Sequence, residues 1–244
     1  MYARTLLVRI LPGLLVVSTI GACSQDTSQQ VVRSFARTSM DIYKQWKNWQ
    51  YNSDARKVHN LNVLFIGDSI TEMWRLAGLA SWNKHFEPMG SFEMGIGGDT
   101  TQGVLWRIEH GAIDGISPKV VVLLIGSNDL PFRSPEDTAK DVLTIIQTIH
   151  NKLPNAKILL LAILPREYSP KAPLRLKINQ TNAILAKVKF DYLRYLDIGN
   201  IFTQSDGSVL PETLPDAIHP TSVLYEEMAQ TIEPVVQEML GNQT

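Results

Sequence analysis

Val120-Val121-Val122-Leu123-Leu124-Ile125-Gly126-Ser127-Asn128-Asp129 is the stretch that decides the fold. Six consecutive apolar residues, four of them β-branched, end abruptly in a polar turn. Successive side chains of a strand point to opposite faces, so a strand with one wet face alternates apolar and polar residues. This run does not alternate, and both of its faces must be covered. That predicts a central parallel strand with helices above and below.

Outward from that run, strand-like and helix-like segments alternate. Strands are predicted at 62–66, 91–95, 119–125, 157–163 and 195–197. Helices are predicted from Thr38 to Trp49, after Thr71, and over 100–109, 135–152, 173–190 and 222–240. Alternation of this kind implies right-handed crossovers and a three-layer α/β/α sandwich around a five-stranded parallel sheet. Ligands of such sheets sit beyond the carboxyl ends of the strands. Three polar strand ends, Gly67-Asp68-Ser69, Gly95-Ile96-Gly97-Gly98-Asp99 and Gly126-Ser127-Asn128-Asp129, therefore meet at one edge. The loop carrying Asp216-Ala217-Ile218-His219 precedes the last helix and can reach the same edge.

The 244 residues are 44% hydrophobic with a formal net charge of −1, enough for one well-filled domain. The absence of a basic stripe argues against a nucleic-acid surface. The single cysteine, Cys23, rules out an internal disulfide, and the five scattered histidines form no metal-binding pattern.

The N-terminus reads as an export signal over residues 1–22. Arg4 and Arg9 give a positive start, and the apolar stretch from Ile10 to Ile20 is too short to span a bilayer. Small residues before Cys23 resemble a bacterial lipobox, which implies lipidation of Cys23 and a membrane anchor. Ile20 departs from the leucine usual in that pattern, and an ordinary cleaved signal is the alternative. Residues 23–37 read as a polar tether and 38–244 as the folded domain. Ser24 after the cysteine points to the outer membrane of a bacterial envelope.

Ser69, at the tip of a strand, has the placement of a nucleophile, but a serine hydroxyl needs an adjacent base. His219 is the candidate base, and Asp216, three residues earlier, shares one side of a helical turn with it. Pro215 and Pro220 flank the pair and restrict its backbone. An oxyanion needs preorganised donors. Gly97-Gly98 permits close backbone approach, and Asn128 offers a side-chain amide. Each feature also has a structural reading: Asp68 and Asp99 as helix caps, Gly126–Asp129 as a polar turn.

Taken in order, these four blocks resemble those of the SGNH (GDSL-type) hydrolases. The tracts Gly95–Gln102, Val104–Arg107 and Pro118–Val122 look like the catalytic α subunits of platelet-activating-factor acetylhydrolase and their bacterial relatives. The resemblance covers most of the chain from Asn62 to Leu240. It implies a flavodoxin-like fold and a cofactor-free esterase with Ser69, His219 and Asp216 as the triad. The Ser69 N–H, the Gly98 N–H and the Asn128 amide would be its oxyanion donors. Ile70 and Ile218, beside nucleophile and base, are expected to wall a short acyl pocket. Arg107 is expected to act as a salt-bridge or cap partner, and Trp106 to pack.

The expected substrate is a small acyl ester, an O-acetyl group on an envelope or extracellular glycan. A phospholipid, a lysophospholipid or a thioester is the alternative carrier, and a non-catalytic glycan-binding lipoprotein is the alternative class. The oligomeric state stays open.

Overall fold

The computed structural model describes residue 43 and residues 45–241. The expected signal, Cys23, the tether and the start of the first helix lie outside the described residues.

The first helix, α1, occupies residues 45–55, running six residues past its predicted end at Trp49. Five strands follow: β1 (Val63–Gly67), β2 (Ser91–Glu93), β3 (Val120–Leu124), β4 (Lys157–Leu161) and β5 (Leu193–Leu196). The remaining helices are α2 (Ser69–Glu72), α3 (Leu79–His85), α4 (Thr101–Glu109), α5 (Pro135–Lys152), α6 (Pro173–Leu185) and α7 (Ser222–Leu240). All strands pair in parallel, in the order β2-β1-β3-β4-β5.

The two-faced character of β3 is borne out. Val121 and Leu123 enter one apolar cluster with Leu64 and Ile66 of β1, and with α1, α4 and α5. Val120, Val122 and Leu124 enter a second cluster with Val63 and Phe65, on the face that α3 and α7 cover. Each fully buried aliphatic side chain contributes about 1.5–3 kcal/mol.

Strand order reverses between β1 and β3, which end level because Gly67 pairs with Leu124. The crevice beyond such a reversal is where doubly wound sheets bind ligands. Ser69 and Asn128 leave from those two strands.

Other elements also depart from expectation, among them β5, predicted over 195–197 and found at Leu193–Leu196. The helix near Thr71 starts at Ser69 and tightens into a 3-10 turn over Met73–Arg75. Helix α3 had no predicted counterpart, because Leu79–His85 is short and opens on Gly78 without a side-chain cap. Helix α6 ends five residues before Phe190, in tight turns donated by Lys187 and Val188. The chain must leave the helix there so that Phe190 and Tyr192 stack, with Tyr192 also lying over His150 at 3.6 Å.

The second cluster contains an aromatic knot. Trp74 lies 4.6 Å from Tyr225 and 5.2 Å from Phe86, ring centre to ring centre. The Tyr225 hydroxyl donates to the Ile70 carbonyl at 2.7 Å, tying α7 to the helix that carries Ser69. Trp74→Ala is therefore expected to lower unfolding free energy by about 3–5 kcal/mol in urea titrations. A loss under about 1 kcal/mol would show that this knot does not hold α7 to the sheet.

Candidate active site

Ser69 is the first residue of α2, immediately beyond the end of β1. Asp68 caps that helix, its Oδ1 accepting from the Ile70 N–H at 3.0 Å. The capping and nucleophile readings are thus compatible: the cap fixes the turn that presents the hydroxyl.

His219 Nε2 lies 2.8 Å from Ser69 Oγ, and His219 Nδ1 lies 2.6 Å from Asp216 Oδ2. Hydroxyl, imidazole and carboxylate form one hydrogen-bonded line across 150 residues of sequence. The turn is not helical as expected. Ala217 sits at φ +62°, and Asp216 Oδ1 accepts from the N–H groups of Ile218 (3.0 Å) and His219 (2.7 Å). The left-handed residue folds the chain back so that one carboxylate serves both its own backbone and the imidazole. A non-glycine residue costs roughly 1–3 kcal/mol in this conformation, so its surroundings must impose it.

A second left-handed residue imposes it. Glu167, also at φ +62°, donates its N–H to the Ala217 carbonyl at 3.0 Å. Arg175, 3% exposed, holds that segment by donating to the carbonyls of Arg166 (2.9 Å), Glu167 (2.6 Å) and Gly207 (3.1 Å). Arg166 in turn donates to the Ser127 carbonyl at 3.0 Å, next to Asn128. The segment after β4 thus joins the base turn to the loop after β3. Sequence reasoning missed it, because its contacts are guanidinium-to-carbonyl and leave no charge-pair pattern.

The glycine loop is clamped from beneath. Arg107, 1% exposed, donates through Nε to Asp99 Oδ2 at 2.8 Å, with Asp99 0% exposed. Its other nitrogens donate to the carbonyls of Met94 (2.9 Å) and Gly67 (3.3 Å), the chain just past β2 and the last residue of β1. Arg107 is therefore the salt-bridge partner expected. Thr100 rather than Asp99 caps α4, its hydroxyl accepting from the Gly103 N–H at 3.3 Å. Glu72, on the helix of Ser69, accepts from the Gly97 N–H at 2.8 Å.

Gly98 is exposed at φ +70°, a conformation that favours glycine, and its N–H has no acceptor among the described residues. Asn128 Nδ2 donates to the Asp99 carbonyl at 2.9 Å, which uses one of its two amide hydrogens and leaves the other for a ligand. Ile70 is buried in the core cluster below the site, and Ile218 is half-buried. Trp106 stacks on His110 at 4.2 Å, in keeping with packing. His85, His110 and His150 all sit at helix ends, although His85 is buried between Glu226 and Glu233. Among the described residues no three His, Cys, Asp or Glu side chains gather as metal ligands.

Two carboxylates are pushed in opposite directions. At Asp216 partial burial works to raise the pKa, but the His219 N–H, its ring and the Ile218 N–H outweigh it and bring it down to about 2. Asp216 thus stays ionised wherever His219 can act as a base, and any stability it lends is lost only as pH falls through about 2. At Asp68 burial dominates, opposed by the Ile70 N–H and reinforced by the Asp99 carboxylate, and raises it to about 7.

Two tests follow from this geometry. Asp68 releases its proton near pH 3.9 when unfolded and near 7 when folded, so folding loses stability as pH rises between those values. Glu93, also raised to about 7 by burial, adds in the same sense. Asp68→Asn keeps an oxygen for the Ile70 N–H, and its melting temperature should fall less than that of the unaltered protein between pH 4.5 and 8. Equal falls would contradict the assignment. Arg107→Met takes the guanidinium away from the buried Asp99 carboxylate and should cost about 3–5 kcal/mol in denaturant titration; a neutral variant would mean the clamp is dispensable.

Comparison with known proteins identifies the family. Residues 65–226 match the GDSL-like Lipase/Acylhydrolase family. The platelet-activating factor acetylhydrolase IB subunit alpha2 of Rattus norvegicus is 34% identical over 181 residues, covering 73% of this chain and 77% of that protein. A GDSL-like lipase structure from Bacteroides thetaiotaomicron superposes with a TM-score of 0.66 at 21% identity, over 78% of this chain and 97% of that one. Axe2, an acetylxylan esterase from Geobacillus stearothermophilus, superposes at 0.57 with 16% identity, over 76% and 98%. These two structural likenesses speak for the fold alone. With its family blocks brought to one edge of a parallel α/β sheet, the chain belongs to the GDSL-like lipase/acylhydrolase (SGNH) family of hydrolases.

Proposed function

We propose that this hydrolase is a serine esterase that removes O-acetyl groups from an envelope or extracellular glycan. The observation that carries the reading is the line Ser69 Oγ–His219 Nε2–Asp216, at 2.8 and 2.6 Å. A hydroxyl at that distance from an imidazole is in place to lose its proton as it attacks a carbonyl carbon.

In the proposed mechanism Ser69 Oγ bonds to the ester carbon while His219 Nε2 takes its proton. Asp216 holds the imidazole by Nδ1 and stabilises the resulting imidazolium. The carbonyl oxygen, now anionic, is received by the N–H groups of Ser69 and Gly98 and by the free amide hydrogen of Asn128. Collapse expels the sugar alkoxide, which takes the proton from His219. Water, deprotonated by His219, then attacks the acetyl-enzyme and releases acetate and Ser69. No cofactor is needed for any step. Of the two isoleucines expected to wall the acyl side, Ile218 is half-buried beside the base and keeps that role, whereas Ile70 belongs to the core.

The acyl group is supported by relatives named platelet-activating factor acetylhydrolase. The glycan carrier is supported by the N-terminal sequence, which reads as export with lipidation at Cys23 and so favours a substrate of the cell envelope. The first of those relatives favours an acetylated phospholipid as the second reading.

With 4-nitrophenyl acetate, Ser69→Ala should lose at least about 10⁴-fold in kcat, Asp216→Asn about 10³–10⁴-fold and Asn128→Ala about 10²–10³-fold. Equal turnover by Ser69→Ala and the unaltered protein would remove Ser69 from the mechanism. Acetate release from acetylated oligosaccharides against an acetylated phospholipid separates the two carriers. Cys23→Ser should move the protein from the membrane to the soluble fraction; unchanged partitioning would overturn the anchor.

A further inference from the structure

A second cleft lies away from Ser69. An open cleft of about 500 Å³ lies beyond the ends of β4 and β5, against α6, and none of Ser69, Asp216 or His219 lines it. Its size falls within the range of small-ligand sites, about 300–1,000 Å³. We propose that this cleft is a distal sugar subsite, which holds a neutral saccharide unit of the glycan whose acetyl ester lies at Ser69. The inference rests on the glycan reading above.

The lining selects the ligand class. Asp197, Asn179, Asn200 and Thr203 bring polar side chains into the cleft, and the Arg175 guanidinium behind them is already spent on three backbone carbonyls. A free anion would meet the Asp197 carboxylate with no uncommitted guanidinium to offset it. An acyl chain would cover these polar groups without pairing them, at a cost of about 1–3 kcal/mol each. A sugar offers hydroxyls that donate and accept side by side, and so matches the carboxylate and the amides at once. Pro165, Pro170 and Ile163 supply apolar surface for the C–H face of the ring.

The polar groups are not equally committed. Asn182 spends its side chain on the backbone of Ile163, accepting at 2.9 Å and donating at 2.9 Å, so it builds the wall. Asp197 Oδ1 accepts from the Gly199 N–H at 2.8 Å. Asn179 and Asn200 are exposed, and their side chains make no hydrogen bond among the described residues.

The cleft also adjoins the candidate active site. Pro165 leads into Arg166, whose guanidinium reaches Ser127 beside Asn128. Arg175, in the cleft wall, holds the segment on which the Ala217 turn hangs. The cleft and Ser69 both lie beyond the carboxyl ends of the parallel strands. A linear oligosaccharide with one acetylated unit at Ser69 thus has a place for a later unit.

The test compares acetylated xylotetraose and acetylated cellotetraose with the corresponding monosaccharide acetates, using purified protein and acetate release. The unaltered enzyme should favour the tetrasaccharides by about tenfold or more in kcat/KM. Asn200→Ala should lose about three- to tenfold of that preference, as expected for one hydrogen bond. Asn179→Trp, which fills the cleft, should abolish it. Both variants should keep their melting temperature and their turnover of 4-nitrophenyl acetate. Equal rates on mono- and tetrasaccharides, or a preference untouched by Asn179→Trp, would overturn the subsite and leave the glycan reading intact. Hydrolysis of 4-nitrophenyl acetate but of no acetylated sugar would overturn the glycan reading, and the subsite with it.

Discussion

Almost withdrawn from water, the Arg107 guanidinium joins the backbone at the ends of β1 and β2 to the Asp99 carboxylate. The nucleophile turn and the glycine loop are built over that clamp. Stranding either partner of a buried pair costs several kcal/mol, so the two constrain each other tightly. Asp99 then fixes the glycine loop on one side, and its carbonyl receives the Asn128 amide on the other. Gly98 and Asn128 are thereby set relative to Ser69, which leaves from β1 two residues beyond the carbonyl Arg107 holds.

A second assembly holds the base. Here the strained residues are Ala217 and Glu167, joined by one backbone hydrogen bond, and the support is Arg175. Both assemblies use a buried arginine directed at backbone carbonyls. Burial depresses the affinity of Arg175 for its proton, but the guanidinium stays charged and gives five fixed donors. Such a fork suits irregular loops, whose carbonyls lack the partners that a helix or strand would give them.

Much of this was legible in the chain. The unbroken apolar run at β3 announced a two-faced strand, and the clusters on either side of the sheet confirm it. Helices α5 and α7 have their predicted ends because each starts at a plain signal, Ser134-Pro135 and Thr221-Ser222, and α7 stops at Gly241. Ser69, His219, Asp216 and Asn128 were named from residue type and loop placement, and Gly98 was singled out from its glycine pair by the family resemblance. What was not legible is how the backbone brings them together. A left-handed alanine carries no sequence signal, and the expected helical turn at 216–219 gave way to one. Helix α3 lacked a cap to announce it, and α6 ends early for the sake of rings packed far along the chain. The roles of Glu72, Arg166 and Arg175 depend on acceptors that are backbone atoms, which spacing patterns do not reveal.

The central claim is that His219 activates the Ser69 hydroxyl, and covalent labelling tests it most directly. Diisopropyl fluorophosphate should add one diisopropylphosphoryl group per chain, found by peptide mass mapping on the fragment that contains Ser69. The same reagent should leave that fragment unmodified in the His219→Ala protein over the same time. Modification of a different residue, or equally rapid labelling of Ser69 without the imidazole, would contradict the account.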